Sequence, residues 1–261
     1  MNIVVCIKQV PDTNEVRIDP VTGTLVRDGI PTIINPDDLS ALEEALKTKE
    51  ELGAHVLVMT MGPPQAEYAL REALAMGADE AVLLTDRQFS GADTLATSRV
   101  LAAAVRKLGY AVDIIFAGRQ AIDGDTAQVG PEMAEHLGLP QVTYVEGMKV
   151  QGGRLVVKRS LEDGYECISV KMPVVLTTIK ELNEPRYMGI KGISGAFGKE
   201  IRQWGAGDIG LDPALLGLSG SPTRVKKSMT KELRQVGQPY EAPAKEAAGY
   251  VAGVLKELHI L

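Results

Sequence analysis

The sequence predicts an α/β fold, a doubly wound and mostly parallel sheet extended by antiparallel strands, and three observations carry that prediction. Up to about Pro140, short apolar runs alternate with helical patterns. From about Gln141 the pattern changes to strands separated by turns, and the final segment returns to helical spacing. The apolar runs are Ile3–Val10, Val56–Met61, Ala81–Leu84 and Val112–Ala117. Between them Asp38–Glu51, Gln65–Met76, Thr94–Leu108 and Thr126–Leu137 place apolar residues three to four apart. Short strands of this kind are covered on both faces by the intervening helices and run parallel. Val16–Val26 reads as a polar hairpin closed by Thr22-Gly23.

Past Gln141, the segments Leu155–Lys158, Cys167–Lys171 and Val174–Ile179, with turns at Gly152-Gly153 and Asp163-Gly164, read as the antiparallel extension. Lys180 to about Gln238 is rich in Gly, Pro and Lys, weakly periodic, and too long for a connection inside a compact domain. Ala242–Leu261 is helical again through Tyr250, Val251, Val254, Leu255 and Leu258. The expected division is an α/β domain over 1–185 and an arm over 186–261 that ends in a helix. The apolar residues of such an arm are most easily buried against another chain.

Composition narrows the function. A net charge of −6 argues against nucleic acid, whose binding needs a basic surface. The opening MNIVVCIKQV lacks a basic leader and a small-residue cleavage site, and Lys8 ends its apolar run, so it reads as a buried strand. No stretch approaches the roughly 20 apolar residues of a membrane span. Cys6 and Cys167 form no C-x-x-C pair and read as free thiols of a cytoplasmic protein. His55, His136 and His259 are scattered, which leaves little material for a metal site or a Ser-His-Asp triad.

Open parallel sheets bind ligands outside the carboxyl ends of their strands, where helix N-termini offer N–H groups. Four segments fall there: Lys8–Thr13, Thr60–Pro64, Asp93–Ser98 and Gly118–Thr126. Asp93 and Thr94 read equally as plain helix caps, and Asn35-Pro36 as a helix start. The Gly118–Thr126 loop is long for a strand-to-helix turn and places Arg119 and Gln120 where a ligand could sit. The Walker A pattern, GxGxxG after the first strand and the pyrophosphatase loop Ser-Gly-Gly-x-Asp-Ser are all absent. The residues therefore lead to an anionic nucleotide at the sheet's carboxyl edge and leave its kind open.

The stretch Val157-Lys158-Arg159-Ser160-Leu161-Glu162-Asp163-Gly164-Tyr165-Glu166-Cys167-Ile168, continuing to Pro173-Val174-Val175-Leu176-Thr177 and then Asn183-Glu184-Pro185-Arg186-Tyr187, resembles the signature of electron transfer flavoprotein β subunits. The resemblance covers essentially the whole chain. It implies a flavodoxin-like or adenine-nucleotide-hydrolase-like head, with the nucleotide-binding domain at 1–185, and an arm at 186–261 that embraces an FAD-carrying α subunit. The family's nucleotide contacts fall on Cys6, Asn35, Pro36, Asp37, Asp38, Met61 and the run Gly118, Arg119, Gln120, Ala121, Ile122, Asp123, Gly124, Asp125, Thr126, Ala127, Gln128 and Val129.

In simple members that site holds a structural AMP. In electron-bifurcating members it holds FAD, which takes hydride from NADH. Small Gly124 and Ala127, with Asp93–Ser98, resemble the bifurcating group, in which Thr94 and Thr97 would meet the FAD pyrophosphate. Ile190 lies where the family's recognition loop presents an aliphatic side chain to an acyl-CoA or hydroxy-acid dehydrogenase. Ferredoxin or flavodoxin would be the low-potential acceptor.

Overall fold

The structure is a computed structural model that describes residues 1–12, 31–226, 237 and 239–261. The hairpin expected at Val16–Val26, and Thr13, lie outside the described residues. The first strand, β1 (Asn2–Cys6), is followed by a short ladder of β2 (Gln9–Pro11) with β3 (Thr32–Ile34), so the run Ile3–Val10 is two strands rather than one. Helix α1 (Pro36–Leu52) starts with Pro36 in its first turn, where the missing N–H costs nothing, and Asp37 and Asp38 complement the helix dipole. It stops at Gly53, whose left-handed φ of 66° suits glycine.

Then come β4 (His55–Met61), α2 (Glu67–Met76), β5 (Glu80–Leu84), α3 (Thr94–Lys107), β6 (Ile114–Gly118) and α4 (Val129–Leu137). The strands β7 (Gln141–Gln151), β8 (Arg154–Leu161), β9 (Gly164–Lys171) and β10 (Val174–Thr178) follow. The chain continues through α5 (Ile190–Ala196), β11 (Ile201–Trp204) and α6 (Ala206–Ile209) to α7 (Ala244–Glu257).

Among the described residues one large sheet has the order β11-β5-β4-β1-β6-β10-β7-β8-β9. The strands from β11 to β7 are parallel neighbours, and β8 and β9 are antiparallel. Alternate residues of each strand feed two cores. Ile3, Val5, Val56 and Val58 meet α1 and α2 through Leu42, Leu46, Leu70 and Leu74. Val4, Leu57 and Val82 meet α3 and α4 through Val100, Leu101 and Met133 on the opposite face. A strand buried on both faces has to read as a continuous apolar run, which is why β1, β4, β5 and β6 are evident in the sequence.

Three expectations change. Val174–Thr178 is not antiparallel: β10 lies in mid-sheet, parallel to both β6 and β7, and each of its residues is buried. Burial on both faces selects a parallel central position even though a hairpin precedes it in the chain. The helix expected over Thr126–Leu137 begins only at Val129, because Asp125 and Ala127 take left-handed backbone angles. The weakly periodic stretch from Lys180 does not all leave the head. Helix α5 packs on α2, and β11 pairs with β5 as the edge of the sheet. The terminal helix α7 forms as expected and buries none of its residues.

Candidate functional site: a crevice at the switch point of the sheet

From β1 the chain moves outward through β4 and β5, then returns to the other side of β1 for β6. In open α/β sheets such a reversal leaves a crevice outside the carboxyl ends of the two strands that part, here β1 and β6. Asp38, in the first turn of α1, bridges it: Oδ2 accepts the Lys8 N–H at 2.7 Å and Oδ1 the Gly118 N–H at 2.8 Å. Burial pushes the Asp38 carboxyl up to about 7, against the opposing effect of those two N–H groups. Cys6 is buried beside it. Its thiol is raised well above the ordinary range, by burial first and by Asp38 second.

Asn35 is fully buried and grips the loop after β6 from both ends of its amide. Nδ2 donates to Gln120 O at 2.8 Å and Oδ1 accepts the Ile122 N–H at 3.0 Å. The loop is further held by Lys8 Nζ on Asp123 at 2.6 Å and by Gln120 Nε2 on Asp125 at 2.8 Å. A turn donates the Gly124 and Asp125 N–H groups to Ala121 O, and the Arg119 N–H reaches Thr178 O at 2.8 Å. Asp125 and Ala127 have φ of 49° and 54°. For non-glycine residues this costs about 1–2 kcal/mol each, and such strain gathers at ligand-binding loops. Ile122 through Thr126 are exposed, and a β-carbon on Gly124 would meet nothing within 4 Å.

The facing wall is the start of α3. Asp93 caps it, accepting the Ala96 N–H at 3.0 Å. Thr94 Oγ1 lies 3.0 Å from Gln128 Oε1 and 3.1 Å from Glu132 Oε1, joining this helix start to the end of the loop and to α4. Thr97 stands one turn further along and is half-buried. Met61 ends β4 at the same edge. Val129 opens α4, and Pro36 and Asp37 open α1.

Arg119 packs over the Tyr144 ring at 5.6 Å, with Nε 3.4 Å from Asp37 Oδ2. Burial raises the Asp37 carboxyl, and Arg119 opposes the rise. Arg119 Nε is buried without a hydrogen-bond partner, as is Glu132 Oε2. A guanidinium donor left without a partner at this edge can be matched by a ligand that brings acceptor oxygens.

The fold thus gathers Cys6, Asn35 to Asp38, Met61, Thr94, Thr97 and Gly118 to Val129 around one crevice. Ile190 is elsewhere. It is 88% exposed at the start of α5, a helix that packs on the far end of α2, where a β-carbon on Gly192 would lie 2.1 Å from Ala75 O. Thr178 and Tyr144, which touch Asp37 and Arg119, do not stand out in the sequence. Thr178 Oγ1 donates to Asp37 O at 2.9 Å. The signal for Thr178 was its place at the end of an apolar run, which becomes a carboxyl edge once that run is parallel. Among the described residues no group of three or more His, Cys, Asp or Glu side chains could hold a metal ion, and no helix is long and apolar enough to cross a membrane.

Fold and crevice define a doubly wound α/β protein of the kind that takes anionic ligands at the carboxyl edge of its sheet. The electron transfer flavoprotein domain model matches residues 22–209. The electron transfer flavoprotein subunit beta of Clostridium acetobutylicum is 66% identical over the full length of both chains. The caffeyl-CoA reductase-Etf complex subunit CarD of Acetobacterium woodii is 54% identical, again over both full lengths. The acryloyl-CoA reductase electron transfer subunit gamma of Anaerotignum propionicum is 47% identical, with the same coverage. The chain belongs to the electron transfer flavoprotein family, as a β subunit that takes part in electron transfer together with an α subunit.

Proposed function

We propose that the switch-point crevice binds FAD. With the α subunit, a cytoplasmic complex takes hydride from NADH there and divides the electrons. One goes through the α-subunit FAD to an acyl-CoA-type or hydroxy-acid dehydrogenase, and the other to ferredoxin or flavodoxin. The observation that carries the reading is the pair of facing anion-holding walls. The start of α3, with Thr94, stands across from the loop Gly118–Gln128, and the two meet at Gln128, 3.0 Å from Thr94 Oγ1. Strand-to-helix loops and helix starts bind the pyrophosphate of dinucleotides, and two such elements face each other here. The open space at Gly124 adds room beyond an adenylate. The names of two relatives, which place them with caffeyl-CoA and acryloyl-CoA reductases, support an acyl-CoA-type partner.

When bound, the flavin would supply both hydride acceptance and one-electron release. The chain's own residues bind and orient it. Asp38 and Asn35 fix the two loops, Thr94 and the α3 N–H groups receive phosphate, and Arg119 brings positive charge where negative charge develops. Asp37 and Tyr144 hold that guanidinium in place.

The test is to co-express the chain with its α subunit, denature the purified pair and count nucleotides. Two FAD and no AMP per heterodimer is the expected result. One FAD and one AMP would overturn the reading in favour of a structural AMP subunit without bifurcation.

A further inference from the structure

From Leu215 to Thr223 the chain lies tightly against the loop that leads into α3. Leu216 is buried, and the Leu218 N–H donates to Ser90 O at 3.0 Å. A β-carbon on Gly217 would fall 2.2 Å from Gln88 O, so the two backbones are in contact. Buried Ser221 accepts the Asp93 N–H at 2.8 Å and donates to Gly217 O at 2.7 Å. The Asp93 carboxylate then faces two ways. Oδ1 caps Ala96 in α3, while Oδ2 accepts both the N–H of Thr223, at 3.0 Å, and its hydroxyl, at 2.8 Å. Desolvation raises this carboxyl, but its donors outweigh that and leave it below the usual range. Beyond Thr223 none of the described residues is buried, α7 included, so Thr223 is the root at which the arm leaves the head.

We propose that Asp93 is a positioning residue that couples the nucleotide crevice to the root of the C-terminal arm, so that nucleotide binding and arm seating favour one another. The inference rests on the reading that a nucleotide phosphate lies at the start of α3. The first N–H groups of that helix have no intrahelical acceptor, and Asp93 sets their direction through Ala96. The same carboxylate stands next to any phosphate bound there. With Oδ2 occupied by Thr223 its charge is offset by donors, and without Thr223 it would repel the incoming anion. In return, a nucleotide that steadies the first turn of α3 steadies Asp93 and hence Thr223, as linkage requires.

The test uses Thr223→Val in the full chain paired with its α subunit, probed with FAD and with AMP. Thr223 is exposed, and the change removes only its hydroxyl from Oδ2, keeping its volume, its backbone N–H, the Ala96 cap and the Ser221 contact. Affinity for the bound nucleotide should fall about fivefold or more. Nucleotide should slow amide exchange at residues 221–226 in the parent complex, this slowing should be absent in Thr223→Val, and Thr223→Ser should restore both. A Thr223→Val complex that melts lower but binds as the parent does would show a purely structural contact and overturn the coupling, leaving the crevice reading intact. A parent complex that binds neither FAD nor AMP would overturn both.

Discussion

Gly118 and Asp38 are interlocked: the oxygen that accepts the Gly118 N–H at 2.8 Å is the one a β-carbon on residue 118 would approach to 2.3 Å. Such a β-carbon would also lie 2.8 Å from Asp38 N and Asp37 Cβ, so there is no flexible side-chain end to move aside. The bridge across the switch point therefore requires glycine. Gly118→Ala should destabilise the heterodimer by about 1–3 kcal/mol, the usual cost of overpacking, and should lower its nucleotide content. A thermal melt together with a nucleotide count checks this. An alanine variant that matches the parent in both would refute the interlock.

Asp38 also sets a pH dependence with a definite sign. Its carboxyl is raised from an ordinary 3.8 to about 7, so between those values the folded chain keeps a proton that the unfolded chain has released. Its contribution to stability is full below about pH 4 and is lost as pH rises through about 7. Asp38→Asn removes this titration and turns an amide NH2 toward one of the two N–H groups, at a cost of about 1–3 kcal/mol. The melting-temperature gap between parent and variant should be wide near pH 5 and should narrow toward pH 8. A gap that widens with pH would mean that folding favours the ionised carboxylate. The groups around it are Cys6, Asn35, Asp37 and the Lys8 and Gly118 amides.

Asn35→Ala should loosen the loop without disturbing the sheet. Both arms of its amide are used on that loop, and removing them leaves the Ile122 N–H and the Gln120 carbonyl unmatched. Amide exchange over residues 119–128 should quicken while exchange in β1 and β6 stays as in the parent. Asn35→Asp, which keeps only the acceptor, should fall between the two. Uniformly faster exchange would show that Asn35 supports the whole head instead.

Arg186→Ala tests a tie between distant parts of the chain. The guanidinium binds Glu43 of α1 through Nε at 2.8 Å and Nη2 at 3.0 Å and also reaches Glu50. Hydrogen bonds to Glu43 and then Glu50 hold its pKa above even its ordinary value. The Glu43 side chain is only 4% exposed, so removing its partner strands a buried carboxylate, at about 3 kcal/mol. Chemical denaturation of the heterodimer should show that loss, with Arg186→Lys recovering part of it. A loss within about 0.5 kcal/mol, the range of ordinary surface changes, would contradict the assignment.

The central strands were legible because Val4, Val5, Val56, Val58 and Ile115 sit where both faces are covered, and only apolar residues satisfy that. β7 was not, since its partly exposed Thr143 and Glu146 and exposed Lys149 interrupt any simple period. The register shift between Val145 and Gly147 and the φ of 56° at Tyr144 bend it as well. β11 reads Ile-Arg-Gln-Trp, four residues on a partly exposed edge, too short and polar to declare itself. At the site, the loop from Gly118 stood out by length and glycine content. Its grip by Asn35 could not be read, because it joins positions 85 and 87 residues apart that only the folded sheet brings together. The family resemblance located these residues without supplying what each one holds.

The place of β11 has a consequence for how the chain is made. Ile201 to Trp204 pair in register with Ala81 to Leu84, so β5 remains a bare border until the ribosome has released residue 204. A nascent chain halted at residue 185 would have α1 to α4 and most of its sheet, yet would present a row of unpaired backbone donors and acceptors to any neighbour on the same polysome. The stretch just before the arm root supplies β11, Ile-Arg-Gln-Trp, as a shorter and more polar border. The exchange of a mostly apolar border for a shorter, more polar one therefore waits until nearly the whole head has been made, which concentrates the aggregation-prone interval in synthesis.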